Sequence, residues 1–220
     1  MKRCWSRLVV PMLLGLTFSG CNSSSDQPDR RSTPQTRPYS LTALARPANA
    51  DRANPGEWHL PAGDFSNTRF SGLNQITAKN VGGLKPAFTF DTGFLKGHEA
   101  APLVIGPTMY LVTPYPNVVY ALDLTKPSAS VKWRFDPKPD PKAQGVACCD
   151  VVSRGMSYDA GRLFMVTLDG QVIALDANSG AEVWRTPIAD VSKGETVTMA
   201  PLVAAGKVLV GDSGGAAACR

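Results

Sequence analysis

Apolar residues downstream of Gly56 occur in short runs that turn-forming residues separate. The runs are rich in Val, Leu, Tyr and Phe, and Gly, Pro, Asn and Asp stand between them. No long stretch repeats with the helical period, so the pattern is typical of an all-β chain. It predicts strands at Thr108–Val112, Val118–Leu122, Lys132–Phe135, Leu163–Thr167, Val172–Leu175, Glu182–Thr186 and Lys207–Val210.

The predicted strands recur as a repeat. An Ala-Leu-Asp triplet begins at Ala121 and again at Ala174, and each is followed by a tryptophan, Trp133 and Trp184. A period of about 50 residues with several strands per unit is typical of β-propeller blades. We therefore expect a partial propeller of about three four-stranded blades, with each tryptophan packed between neighbouring sheets. Because about three blades cannot close a ring, the chain is expected to be a fragment or to associate.

The first twenty residues have the pattern of a secretory signal. Three basic residues open the chain, and the apolar run that follows at 8–16 is too short to span a bilayer. Small residues then precede Cys21, in a segment that resembles the cleavage box of bacterial lipoproteins. We expect residues 1–20 to be removed and Cys21 to be lipidated, which predicts a periplasmic protein attached to a membrane. The alternative is an ordinary cleaved signal in which Cys21 has no role.

Composition separates the remainder into two parts. Residues 21–55 are rich in Ser, Pro, Arg, Asp and Gln and poor in large apolar residues, which predicts a disordered linker. Residues 56–220 are expected to form the propeller. The net charge of +5 arises mostly in the terminal part, because 15 basic and 15 acidic residues lie from Gly56 onward. A neutral globular part gives no electrostatic argument for nucleic-acid binding.

Two cysteines, Cys148 and Cys149, are adjacent. Neighbouring Cα atoms lie about 3.8 Å apart, which is shorter than the usual span of a disulfide. A bond between them would close a strained ring of the kind kept at working sites, whereas two reduced cysteines would behave as small apolar core residues. The pair taken alone favours the second interpretation.

The chain resembles quinoprotein alcohol dehydrogenases of the methanol/ethanol family, which use pyrroloquinoline quinone (PQQ). The resemblance runs from about Trp58 to Gly215. Five motifs carry it: Gly63–Ser71 (GDFSNTRFS), Gly97–Leu103 (GHEAAPL), Thr113–Asp123 (TPYPNVVYALD), Gln144–Gly155 (QGVACCDVVSRG) and Lys193–Leu202 (KGETVTMAPL). The resemblance implies that this chain is the N-terminal part of an eight-bladed quinoprotein propeller.

The resemblance also implies a set of cofactor-binding residues. A Cys148–Cys149 disulfide is expected to lie flat against the quinone, and Glu99 and Arg154 are expected to contact the cofactor. A forked cation suits PQQ, which carries three carboxylates and two quinone oxygens. The family's hydroxyl ligands of the carboxylates correspond to Thr198 and Ser213, and its close-approach backbone corresponds to Gly214 and Gly215.

The chain departs from the family at Ala216, where a Glu that binds the metal is expected. A methyl group cannot coordinate Ca²⁺ or a lanthanide, since both need oxygen ligands. The family's other metal ligands and its catalytic Asp have no counterpart in these 220 residues, so we expect no metal ligand and no catalytic base in this chain.

The resemblance implies oxidation of a small primary alcohol to an aldehyde, with electrons passed to a cytochrome c-type acceptor. The chain by itself is expected to be inactive. One alternative is a non-catalytic β-propeller scaffold lipoprotein of the outer-membrane assembly type, which would have no use for adjacent cysteines or the Gly-His-Glu motif. Another is a sugar or aldehyde dehydrogenase of the wider quinoprotein group.

Overall fold

The structure is a computed structural model that describes residues 54–147 and 150–214. The expected signal peptide, residues 21–53 of the expected linker, and the candidate residues Cys21, Cys148, Cys149, Gly215 and Ala216 lie outside the described residues. The predictions made for them therefore stay predictions.

The strands form antiparallel sheets in which consecutive strands are neighbours. The first sheet contains β1 (Leu103–Ile105), β2 (Thr108–Val112), β3 (Val119–Asp123) and β4 (Ser130–Phe135). The second contains β5 (Ser157–Asp159), β6 (Arg162–Val166), β7 (Gln171–Asp176) and β8 (Glu182–Pro187). The third contains β9 (Leu202–Ala204) and β10 (Lys207–Leu209). One short helix, α1 (Ala143–Val146), and two 3-10 turns, Val81–Gly83 and Val191–Lys193, complete the described elements.

The all-β prediction is confirmed. All seven predicted strands are present with ends within about two residues of the prediction. The first strands of the sheets, β1, β5 and β9, were not predicted; each is three residues long, as is β10, which was predicted as part of the longer run Lys207–Val210. Two sheets have the predicted four strands, whereas the third has two strands within the described part of the chain.

The sequence repeat is reproduced in the strand register. In the first sheet the pairing of β3 with β4 shifts between Ala121 and Leu122. In the second sheet the pairing of β7 with β8 shifts at the equivalent place, between Ala174 and Leu175. Such a shift bends a strand and increases its local twist, so both sheets acquire the same curvature at the same repeat position.

The main core lies between the first two sheets. Fully buried side chains of the first sheet, such as Leu103 and Val119, belong to the same apolar cluster as Met156, Leu163 and Ile173 of the second. Trp133 packs against this cluster, which confirms that the repeat's tryptophan lies between sheets. These contacts fix the first sheet against the second and thereby place the loops at their ends.

Four connecting segments meet at one end of the sheets. The loop after β2 joins the loop after β6, because the N–H of Leu168 donates to the Asn117 side-chain oxygen at 2.9 Å. The loop after β6 joins a segment before β9, since the N–H of Val197 donates to the Leu168 carbonyl at 3.1 Å. The loop after β2 also holds the segment before β5, where the N–H of Tyr115 donates to the Val151 carbonyl at 2.8 Å. This end carries the candidate site.

Within the described ranges, no helix combines the length and the apolar character needed to cross a membrane.

Candidate functional site

Arg154 lies at the centre of the candidate site. Its backbone N–H donates to the carbonyl oxygen of Thr198 at 2.9 Å, and its Nη1 donates to the Thr198 hydroxyl. Its Nε lies 3.8 Å from Oε2 of Glu99, and the Arg154 and Glu99 side chains are each half exposed. The structure therefore brings three of the candidate residues into contact and leaves the guanidinium accessible from solvent.

The segment around Arg154 explains why this side chain points outward. Val151, Val152 and Ser153 are buried on one side of Arg154, and Gly155 and Met156 are buried on the other. Gly155 has a φ of +125°, and a Cβ on it would lie 3.4 Å from the Pro61 ring. A glycine is favoured at such a φ, and this backbone turn leaves Arg154 exposed between two buried stretches.

Glu99 is presented by a loop that His98 ties together. The Nδ1 of His98 lies 2.8 Å from the Lys96 carbonyl oxygen, which places a proton on Nδ1. The Nε2 of the same ring lies 3.0 Å from the Thr92 hydroxyl. Lys96 also approaches Asp150, with 4.0 Å between Nζ and Oδ1. The loop thus presents a basic side chain, Lys96, to Asp150 and an acidic side chain, Glu99, to Arg154.

Ser213 is fixed by a second pairing. Thr196 and Ser213 form an isolated antiparallel bridge in which each backbone N–H donates to the other carbonyl, at 2.8 and 2.9 Å. The Ser213 hydroxyl also donates to the Thr196 carbonyl oxygen at 3.1 Å. Thr196 is buried, whereas Ser213 is exposed. The hydroxyl of Ser213 is therefore held by a rigid buried partner and remains on the surface.

Gly214 makes a close backbone contact. Its φ is +105°, and a Cβ built on it would lie 1.8 Å from the carbonyl oxygen of Gly194. The sequence predicted a close approach of this backbone to the ligand, which stays a prediction, and the contact seen here joins two backbones of the chain. Only glycine can adopt this positive φ without strain and also avoid a clash between a side chain and the Gly194 backbone.

The five described candidates converge on one segment, Gly194–Thr198. Thr198 binds Arg154, which faces Glu99; Thr196 pairs with Ser213; and Gly194 meets Gly214. Sequence reasoning missed Thr196 and Gly194 as supports of the site. Thr196 carried a usable signal, because it precedes Thr198 by two positions, which places the two side chains on the same face of an extended segment.

The donors of the site are suited to an anionic ligand with several oxygens. The guanidinium has five N–H donors in a planar fork, of which one is given to the Thr198 hydroxyl, and that hydroxyl adds an O–H donor of its own. Within the described residues, no group of three His, Cys, Asp or Glu side chains is placed to hold a metal ion.

Comparison with known proteins gives a consistent result. The model of the PQQ-dependent glucose/ethanol/alcohol dehydrogenase β-propeller domain matches residues 58–214. The lanthanide-dependent methanol dehydrogenase of Methylacidiphilum fumariolicum is 56% identical over 161 residues, which are 73% of this chain and 26% of that protein. Subunit 1 of the cytochrome c methanol dehydrogenase of Paracoccus denitrificans is 38% identical over 206 residues, covering 84% of this chain and 32% of that protein.

Solved structures agree. A europium-containing methanol dehydrogenase superposes with a TM-score of 0.73 at 54% identity, covering 76% of this chain and 29% of the other. The quinohemoprotein alcohol dehydrogenase of Comamonas testosteroni gives a TM-score of 0.69 at 34% identity, covering 79% of this chain and 26% of the other. The chain thus spans about a quarter to a third of the length of the relatives it matches.

Proposed function

Because the chain belongs to the PQQ-dependent glucose/ethanol/alcohol dehydrogenase β-propeller family, we propose that it supplies one side of the cofactor cradle of an alcohol dehydrogenase. The enzyme oxidises a primary alcohol to an aldehyde and passes the electrons to a cytochrome c-type acceptor. The substrate is proposed from relatives that are methanol dehydrogenases, and the acceptor from relatives whose names include cytochrome c. The family favours this function over the non-catalytic scaffold.

The arrangement of Arg154 is the observation that carries the proposal. The guanidinium is half exposed, and Glu99 and Thr198 hold it from two sides. PQQ presents carboxylates and quinone oxygens, which a fixed, accessible guanidinium can bind through two parallel hydrogen bonds. The Ser213 hydroxyl, which is bonded to Thr196 of the neighbouring segment, adds a further polar group. The chemistry of these groups supports the proposal of a polyanionic, oxygen-rich cofactor.

When bound, PQQ supplies the redox chemistry, since it takes up the hydride equivalent that leaves the alcohol. The chain's own residues orient it and adjust the electrostatics. Arg154 provides a fixed positive charge, which stabilises negative charge that develops beside it. Glu99 and Thr198 limit the rotation of the guanidinium, so that little order is lost when the ligand binds.

The adjacent cysteines belong to the same proposal. Cys148 and Cys149 stand between α1 and Arg154 in the sequence, and we propose that their disulfide forms a flat surface for the cofactor ring. Gly215 completes the proposed binding set beside Gly214.

We further propose that residues 22–220 show no turnover by themselves. Ala216 occupies the position at which a carboxylate ligand is expected, and Ca²⁺ or a lanthanide requires such oxygen ligands. Dye-linked oxidation of methanol or ethanol by the purified chain, supplied with PQQ and metal, would contradict this part of the proposal.

The location proposed for the protein is the periplasm, with a lipid on Cys21. The basic start, the short apolar run and the small residues before Cys21 support it. Incorporation of radiolabelled palmitate by the wild-type chain, and its loss in Cys21→Ser, is the expected result. No incorporation by the wild type would leave an ordinary cleaved signal as the explanation.

Binding of PQQ to the full chain tests the central proposal. We expect PQQ to quench tryptophan fluorescence saturably, and equilibrium dialysis to give the same affinity. Arg154→Ala should weaken binding, whereas Arg162→Ala, a change of an exposed arginine at the start of β6, should not. If the wild-type chain binds no PQQ in dialysis, the cofactor proposal is wrong and the scaffold alternative gains support.

A further inference from the structure

Asn117 is a buried polar residue in the loop between β2 and β3. It is 1% exposed and adopts a φ of +63°, a left-handed conformation that Asn tolerates better than most residues. Its N–H donates to the Pro114 carbonyl oxygen at 2.8 Å, which closes the turn. Its side-chain oxygen accepts the N–H of Leu168 at 2.9 Å, in the next repeat. The side chain therefore connects two repeats.

The connection continues into the candidate site. The carbonyl of Leu168 accepts the N–H of Val197 at 3.1 Å. Val197 is 2% exposed and lies between Thr196, which pairs with Ser213, and Thr198, which binds Arg154. The two residues that hold or carry the site's hydroxyls, Thr196 and Thr198, are therefore the direct sequence neighbours of Val197, which this chain of hydrogen bonds fixes.

A second connection starts from the same turn. The N–H of Tyr115 donates to the carbonyl oxygen of Val151 at 2.8 Å, three residues before Arg154. The loop that Asn117 closes therefore holds the segment of Arg154 on one side and, through Leu168, the segment of Thr198 on the other. The Arg154–Thr198 contact lies between the two segments that this loop positions.

From this arrangement we infer that Asn117 is a positioning residue for cofactor binding. It does not touch the ligand; it sets the register of the Thr196–Thr198 segment relative to Arg154 through Leu168. The inference rests on the proposed function, because it concerns the binding of PQQ at that site. A residue needed only for the fold would affect stability without a selective effect on the ligand.

Two substitutions at position 117 separate the side-chain bond from the backbone conformation. Asn117→Gly keeps the positive φ and removes the acceptor, whereas Asn117→Asp keeps an acceptor of the same reach. Tyr110→Phe is the matched control. It removes a different buried hydrogen bond, from the Tyr110 hydroxyl to the Ala177 carbonyl at 3.0 Å. Ala177 follows β7, whereas the loop that contains Leu168 precedes β7, so this bond lies at the end of the strand away from the site.

Three quantities are measured in the full chain: amide hydrogen exchange at Leu168 and Val197, the PQQ dissociation constant by dialysis, and the denaturant midpoint. We expect Asn117→Gly to speed exchange at both amides and to raise the dissociation constant about tenfold, as for the loss of one buried hydrogen bond. Asn117→Asp should bind PQQ more tightly than Asn117→Gly. Tyr110→Phe should lower the midpoint with the PQQ affinity unchanged.

The inference is overturned if Asn117→Gly binds PQQ like the wild type, or if Tyr110→Phe weakens binding by as much. If Asn117→Gly does not fold, Asn117→Ser, whose hydroxyl is too short to reach Leu168, is compared with Asn117→Asp in its place. A wild-type chain that binds no PQQ refutes the proposed function. The exchange rates then still decide separately whether Asn117 orders Val197, and unchanged exchange in Asn117→Gly refutes that step.

Discussion

Arg154 and Thr198 are bonded to each other twice, although 44 residues separate them in the sequence. One bond joins the Arg154 N–H to the Thr198 carbonyl oxygen at 2.9 Å, and the other joins the guanidinium to the Thr198 hydroxyl. The backbone bond fixes the distance between the two segments, and the side-chain bond fixes the direction of the guanidinium. A ligand that binds at Arg154 therefore meets a cation that is already oriented.

The first prediction concerns the shape of that cation. Arg154→Lys keeps the charge but loses the planar fork, so it should raise the PQQ dissociation constant by about tenfold or more. Arg154→Ala should raise it further, because the charge is lost as well. The measurement is equilibrium dialysis at constant ionic strength. Equal affinities for the lysine and alanine variants would show that the fork, rather than the charge, accounts for the whole effect.

The second prediction concerns Gly214. In Gly214→Ala the new Cβ would meet the Gly194 carbonyl oxygen at 1.8 Å, so one of the two backbones must move. Gly106→Ala is the control, since Gly106 also has a positive φ, +53°, but has nothing within 4 Å of a new Cβ. We expect Gly214→Ala to lose about 1–3 kcal/mol more stability than the control and to weaken PQQ binding. Denaturant unfolding and dialysis measure the two effects.

Equal losses of stability in the two alanine variants would mean that the cost is the left-handed φ alone. The close contact between Gly214 and Gly194 would then contribute nothing measurable to stability, and the Thr196–Ser213 bridge would not depend on that contact.

The third prediction concerns one carbonyl between the first two sheets. The Trp133 indole N–H and the Tyr110 hydroxyl both donate to the buried Ala177 carbonyl oxygen, at 3.1 and 3.0 Å. Trp133→Phe and Tyr110→Phe should each reduce the free energy of unfolding by about 1 kcal/mol for the lost bond, with a further loss of packing for the tryptophan. The double variant should lose more than the sum, because only there does the buried carbonyl lack both side-chain donors.

A double-mutant cycle in urea measures this coupling. Strict additivity would indicate that water or relaxation satisfies the carbonyl in the double variant.

The fourth prediction concerns acid stability. The pKa of Asp176 lies below its ordinary value of 3.8, first because the Ser179 N–H bonds the carboxylate, then because the Ser179 hydroxyl does so. A carboxyl group with a depressed folded pKa adds stability above its unfolded pKa, and that stability is lost as the pH falls through the folded pKa. Ser179→Ala should therefore raise the pKa of Asp176 and flatten the loss of stability below about pH 4.

The pKa of Asp176 is read from an NMR titration, and stability from denaturant midpoints at pH 7 and pH 3. Because Ser179→Ala keeps the Ser179 N–H bond, an unchanged Asp176 pKa would contradict only the contribution assigned to the Ser179 hydroxyl. Because the pKa values of Asp123 and Asp190 are also lowered, the Ser179→Ala variant should still lose stability in acid.

The fifth prediction concerns the adjacent cysteines. Trypsin should release residues 143–154 as one peptide, because Lys142 precedes it and Arg154 ends it. We expect this peptide, from protein alkylated without reductant, to carry no alkyl group and to have a mass lower by two hydrogens. After reduction it should carry two alkyl groups. Alkylation of both thiols in the native protein would refute the disulfide.

The local structure of this chain could be read from its sequence because local patterns encode it. Short apolar runs bounded by turn residues specified β2, β3, β6 and β7, and the recurring Ala-Leu-Asp and Trp specified the repeat and the packing of Trp133 between sheets. The strands that the sequence did not reveal, β1, β5 and β9, are the first strands of the three sheets, and their positions depend on the neighbouring strands with which they pair.

The site divides in the same way. Residue types and motif resemblance nominated Glu99, Arg154, Thr198, Ser213 and Gly214, because each carries recognisable chemistry. The sequence could not show that Arg154 meets Thr198, that Thr196 supports Ser213, or that Asn117 reaches Val197 through Leu168. The Arg154–Thr198 and Asn117–Leu168 contacts join different repeats and depend on how one sheet stacks on the next, whereas Thr196 and Ser213 flank the same sheet. The tertiary structure decided them, because only packed sheets fix the separation of loops that are distant in the chain.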